Sequence, residues 1–151
     1  MSGATPIPPD IQASLVCDDV RQEANGKHLL IGLFETIASS SLPLVYPRLC
    51  VFTRWCSGDG EFRQRTRILA PDQQTVVVAG QDLPVRLSSA AAIFVNVEVF
   101  LGVRFEREGT HWIEVLLDGA LRLRYPLRVA RLRAASPDPS AGPAAGDPGA
   151  P

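Results

Sequence analysis

Two adjacent carboxylates, Asp18 and Asp19, are the first residues in this chain whose types could do chemistry. Paired acids serve general acid–base catalysis or divalent-cation binding when both face one site. These two lie in a run from Leu15 to Ile37 that reads as two strands joined at Asn25-Gly26, a strong hairpin signal. Neighbouring strand residues point to opposite faces, which keeps the two acids from sharing one ion or one proton. A two-residue Asn25-Gly26 loop would set Asp18 opposite Leu33, on a core face with Val16, Val20, Leu29, Ile31 and Leu33. Asp19 would face the other way, opposite Gly32. A carboxylate on an apolar face needs a partner, and Arg54 is the expected one. The pair Asp18–Arg54 then reads as a polar plug that fixes strand register.

Other constellations are thinner. Asp59, Glu61, Asp72, Asp82 and Asp118 fall in or beside turn signals, where aspartate bonds its own backbone, and no segment gathers them into a calcium loop. The only histidines are His28 and His111, with His28 expected across from Glu23. Neither joins a nucleophile elbow, a zinc-protease motif or a glycine-rich phosphate loop. Cys17, Cys50 and Cys56 lack the spacing of a metal site and are odd in number, so they read as packed free thiols. No catalytic, cofactor-binding or metal-ligating residue is expected, and no cofactor.

Arginine is more suggestive. Lys27 is the only lysine among 15 basic residues. Arg63, Arg65 and Arg67 alternate along one strand, and Arg122, Arg124 and Arg128 share one face of another. In one sheet, the six would make an anion-binding face, since guanidinium suits carboxylate and phosphate.

The elements that must position these residues are all strands. Runs at Ile11–Arg21, Lys27–Ile37, Arg48–Ser57, Glu61–Leu69, Thr75–Ala79, Leu83–Leu87, Ala92–Phe105, Trp112–Leu117 and Leu121–Leu132 alternate with turn signals, and no window keeps a helical period. An antiparallel two-sheet β-sandwich of seven to nine strands follows, immunoglobulin-like in layout but without the Cys–Trp–Cys pin. On Ala92–Phe105, period two assigns Ile93, Val95, Val97, Val99, Leu101 and Val103 to the core. Phe94, Phe100 and Trp112 are then the candidate exposed aromatics. On the last strand Leu121, Leu123, Tyr125, Leu127 and Val129 face inward. Residues 1–10 form a flexible lead-in, 11–133 the sandwich domain, and 134–151 a disordered tail of alanine, proline and glycine.

Cys17-Asp18-Asp19-Val20-Arg21, Gly26-Lys27 and Leu30-Ile31-Gly32-Leu33-Phe34 resemble the start of a family of short bacterial proteins of unknown function. Ile68-Leu69-Ala70-Pro71-Asp72 and the closing hairpin around Asp118-Gly119 are similar to it as well. The resemblance implies one β-sandwich domain and brings no catalytic residues.

A net charge of −1, from 15 basic and 16 acidic side chains, argues against a nucleic-acid partner. No signal peptide and no membrane span is expected, which places the chain in the cytoplasm. The expectation is a non-enzymatic module that binds a protein partner or self-associates, with a small-molecule or anion-binding domain as the alternative. A hydrolase using Asp18 with His28 or His111 ranks third.

Overall fold

Runs of β-branched and aromatic residues broken by glycine and aspartate turns build ten strands in the computed structural model, which describes residues 3–133. They are β1 (Asp10–Gln22), β2 (His28–Leu33), β3 (Thr36–Ser39), β4 (Leu44–Cys56), β5 (Gly60–Leu69), β6 (Val76–Ala79), β7 (Leu83–Leu87), β8 (Ile93–Phe105), β9 (Gly109–Leu117) and β10 (Ala120–Arg131). A four-stranded sheet runs β2-β1-β4-β8, and a six-stranded sheet runs β3-β10-β9-β5-β6 with β7 also paired to β5. The two form a β-sandwich. The predicted strand Lys27–Ile37 is in fact two, because the chain leaves β2 after Leu33 and crosses to the other sheet. There β3 pairs with β10 in parallel, the one parallel pair among otherwise antiparallel strands. No helix among the described residues is long and apolar enough to cross a membrane.

The two hairpin turns differ, and the difference sets register. At Asp118-Gly119 both central residues have positive φ (48° and 81°) and Leu117 pairs with Ala120, a two-residue loop. At the first hairpin Gly26 N–H donates to Glu23 O at 2.9 Å and Glu23 N–H to Lys27 O at 2.8 Å. Only Gly26 is left-handed there (φ 89°), so Ala24, Asn25 and Gly26 form a three-residue loop with a glycine bulge. Gln22 therefore pairs with His28 rather than Leu29, and Asp19 with Ile31. A slip of one residue exchanges faces. Leu29, Ile31 and Leu33, expected inside, point to solvent.

The long strand β8 is inverted in the same sense. Phe94, Asn96, Glu98 and Phe100 face the opposite sheet, while Ile93, Val97, Val99 and Leu101 lie outside. Gly102 (φ 63°) then shifts the alternation, so that Val103 and Phe105 return to the core. The core has two apolar clusters, one around Leu49, Ile68, Phe105, Ile113 and Leu127, the other around Trp55, Val85 and Val115. Leu123, Tyr125, Leu127 and Val129 face inward as expected, but a bulge between Leu121 and Leu123 turns Leu121 outward. The lead-in is anchored: Ile7 exchanges two backbone hydrogen bonds with Asp59 (2.7 and 2.9 Å), and Arg122 donates to Pro9 O at 2.7 Å. The predicted tail, 134–151, lies outside the described residues.

Candidate functional site

Between the apolar clusters, a chain of buried polar side chains links the sheets. Gln64 is its hub. Its Oε1 accepts from Trp55 Nε1 at 2.7 Å and from Asn96 Nδ2 at 3.0 Å, while its Nε2 donates to Thr66 Oγ1 at 3.1 Å and Glu98 Oε1 at 3.2 Å. Burial pushes the Glu98 carboxyl above its ordinary range, against the opposing bonds from Thr66 and Gln64. A Cβ at Gly80 would run into Glu98 Oε2, so only glycine lets the end of β6 close over this acid. Nearby, Ser14 Oγ lies 3.2 Å from Thr53 Oγ1 and 3.0 Å from Tyr125 Oη. The network supplies satisfied core polarity of the kind that specifies one packing.

Asp18 and Arg54 do not pair. Asp18 is exposed and accepts a short hydrogen bond from the Tyr46 hydroxyl; burial, and then this bond, push that phenol up to about 12. Gly32 (φ 68°) lies against the Asp18 carboxylate, not against Asp19. Arg54 projects to the outer face of the four-stranded sheet, where its Nε is buried with no hydrogen-bond partner among the described residues. The pairing of Arg54 with Ala13, on the side of Leu15, is the reason: Asp18 and Arg54 lie on opposite sides of one sheet. His28 packs edge-on against Phe52, and His111 is buried in β9 against Phe105, so neither contacts Asp18 in the hydrogen-bond pattern. The turn acids are not gathered at one point: Asp72 bonds its own turn, while Asp82 and Asp118 reach Arg65 and Arg63 on β5. Asp72 accepts from Gln74 N, Thr75 N and Thr75 Oγ1, bonds that hold it at about 2, and Asp118 accepts from Arg63 N at 2.8 Å.

The candidate aromatics are not the exposed surface. Phe100 is 7% exposed, Phe94 packs into the second core cluster, and Trp112 is half-buried on β9 beside Leu69 and Pro126. The exposed apolar surface is aliphatic. Across β2-β1-β4-β8 the outer side carries Leu33, Cys17, Cys50 and Val99 in one row, and Leu15, Phe52 and Val97 in the next. Beyond the first row stand Ile31, Asp19, Arg48 and Leu101, with Arg48 Nη2 3.0 Å from Asp19 Oδ1. Leu33 is 57% and Leu101 74% exposed, and Leu15, Leu29, Ile31, Ile93, Val97 and Val99 are exposed as well. Cys17, Cys50 and Phe52 on the same side are buried: His28 lies edge-on against Phe52, and Asn25, Gly26 and Lys27 at the hairpin tip share a cleft with Ala13, Leu15 and Arg54, so the first hairpin folds over part of this face. Burial first, then the adjacent Cys50, pushes the Cys17 thiol up to about 11, which keeps it protonated and unreactive.

The six-stranded sheet does bring the two arginine strands together. β9 lies between β5 and β10, and Glu114 on β9 sits between Arg67 and Arg124 in register. Arg67 Nε and Arg124 Nη2 each lie 3.0 Å from one Glu114 oxygen, and that carboxylate is 1% exposed. Arg65 pairs with Asp82 at 2.9 Å. Arg63, Arg65 and Arg67 line a cleft of about 480 Å³ with Asp82, Asp118 and Leu116. Arg122 is drawn away to the lead-in, and Arg128 lies further along β10 beside Thr110. The face is therefore a mixed lattice of guanidinium and carboxylate. The sequence signal that would have found Glu114 is its place midway between two arginine strands.

Residues 12–130 match the family described as a family of unknown function, DUF6941, and the chain belongs to it. No curated protein matches it.

Proposed function

We propose that this member of a family without assigned function is a non-enzymatic interaction module that docks a protein through the outer face of its four-stranded sheet. The observation that carries the reading is the number of exposed aliphatics on this side, Leu15, Ile31, Leu33, Val97, Val99 and Leu101, with the Asp19–Arg48 ion pair among them. Single exposed aliphatics are ordinary, whereas a row of them across adjacent strands marks an interaction surface. The three free cysteines fit a reducing compartment, which favours the cytoplasm. Tagged protein isolated from cells that naturally express it should carry a stoichiometric protein, either another polypeptide or an untagged copy. Leu101→Asp should release that protein. Retention by the variant would sink this reading.

The arginine cleft supports a second reading, an anion-binding domain, because Arg63 has no ion-pair partner among the described residues beside the paired Arg65 and Arg67. Inorganic phosphate should then raise the melting temperature of the parent protein and not of Arg63→Ala. Equal shifts in both would remove the reading.

A further inference from the structure

We infer that the cleft beneath the tip of the first hairpin is a binding site for a small organic anion, a carboxylate or phosphate head on an apolar body. The inference goes beyond the docking reading and does not depend on it.

Two elements wall the cleft. Lys27 and His28 reach it from the turn and the start of β2, and Leu15, Phe52 and Arg54 from the sheet, around about 830 Å³. Small-molecule sites are clefts of roughly this size, mostly apolar with a few placed polar groups. Leu15, Leu30 and Phe52 supply the apolar wall here, and the His28 ring stands edge-on to Phe52 with centroids 5.4 Å apart.

The charges that line the cleft are of one sign. Lys27 and Arg54 are there, and no aspartate or glutamate joins them. Neither cation forms an ion pair among the described residues, whereas most arginines of the chain do. Glu23, at the start of the hairpin loop, accepts from Asn25 Nδ2 at 3.1 Å and stays outside the lining.

Arg54 carries the second observation. Its Nε is buried with no hydrogen-bond partner among the described residues. A buried, unmatched donor on a charged group is costly, and an anion relieves that cost. Its neighbours across the strands, Ala13 and Val95, have no side-chain acceptor to offer. One edge of a guanidinium donates two parallel hydrogen bonds to a carboxylate or a phosphate. Lys27 adds a point charge on a flexible stem, and the apolar wall lowers the local dielectric, which strengthens both contacts. The cleft on β5 differs, because Asp82 and Glu114 already hold Arg65 and Arg67 there.

The test is isothermal titration of the full chain with phenylacetate and with phenyl phosphate, beside acetate and benzyl alcohol as head and body alone. At least one ring-bearing anion should bind about 10-fold more tightly than acetate or benzyl alcohol, and the tighter of the two names the head. Amide chemical shifts in NMR should move at residues 12–15, 25–30 and 52–54, which surround the cleft. Arg54→Met keeps an unbranched stem without the fork and should weaken binding about 30-fold. Lys27→Ala alters an exposed turn position that the fold does not need, and should weaken binding about 3-fold. Leu101→Asp lies outside the cleft and should bind the anion as the parent does, whatever becomes of the docking reading. Binding of neither ring-bearing anion, affinity no greater than that of acetate or benzyl alcohol, or shifts gathered on residues 63–67 instead would each overturn the inference. So would undiminished binding by both Arg54→Met and Lys27→Ala.

Discussion

Glu98 shows what a single residue can cost this fold. It is an acid held at 7% exposure between the sheets, and burial raises its pKa from the ordinary 4.5. Near and above pH 4.5 the unfolded chain releases this proton while the native chain still keeps it, so the native state loses stability as pH rises through the raised pKa. His111 acts in the opposite direction. Burial lowers its pKa from 6.5, so the unfolded chain takes up a proton first, and stability falls as pH drops below about 6.5. Glu98→Gln keeps an oxygen to accept from Gln64 and removes the ionisation. Its urea midpoint is expected to gain on the parent's progressively from pH 4 to pH 8. A constant difference across that range would mean that Glu98 ionises freely in the native state.

Among the elements, β9 is the one whose polar contacts tie a sheet together. Glu114 accepts from arginines on both flanking strands while almost wholly buried. Glu114→Ala strips the partner from two half-buried guanidinium groups and is expected to cost about 3 kcal/mol in chemical denaturation. Replacing Arg67, Glu114 and Arg124 together by apolar residues of similar size should cost far less, because no orphan charge remains. At the first hairpin, Gly26→Ala meets no atom but must hold φ 89°, so about 1 kcal/mol of loss is expected from backbone conformation alone. These elements also show what could be read from sequence. The strands were legible because alternation and turn residues are local signals, and Asp118-Gly119 behaved as its residues require. Asn25-Gly26 suits both a two-residue and a three-residue loop, and nothing local separates them. That ambiguity turned Leu29, Ile31 and Leu33 outward, whereas the pairing of Arg54 with Ala13 put it across the sheet from Asp18.

At the scale of the whole molecule, the usual rule that aliphatics go in and polar residues go out is relaxed most on the four-stranded sheet. Its inner side mixes Ser14, Thr53, Asn96 and Glu98, satisfied by Gln64, Thr66 and Tyr125 across the gap, with the core residues Val16, Leu49, Val51, Trp55 and Phe100, while its outer side carries exposed leucine, isoleucine and valine beside the Asp19–Arg48 pair. Period-two counting finds both faces of β8 and cannot say which is the core, since the polar network exists only once the second sheet is present. The exposed aliphatics of β1, β2 and β8 are the ones that the proposed docking would bury. Where the docked protein is a second copy, its binding is linked to folding, because only native chains associate and mass action then favours the native state. The melting temperature of the parent should therefore rise with protein concentration, and that of Leu101→Asp should not. Differential scanning calorimetry over a hundredfold dilution series reads this directly. At the lowest concentrations the two curves should converge, because Leu101 is already 74% exposed in the isolated sandwich. A parent melting point independent of concentration, with the variant below it throughout, would assign Leu101 to the stability of the monomer instead.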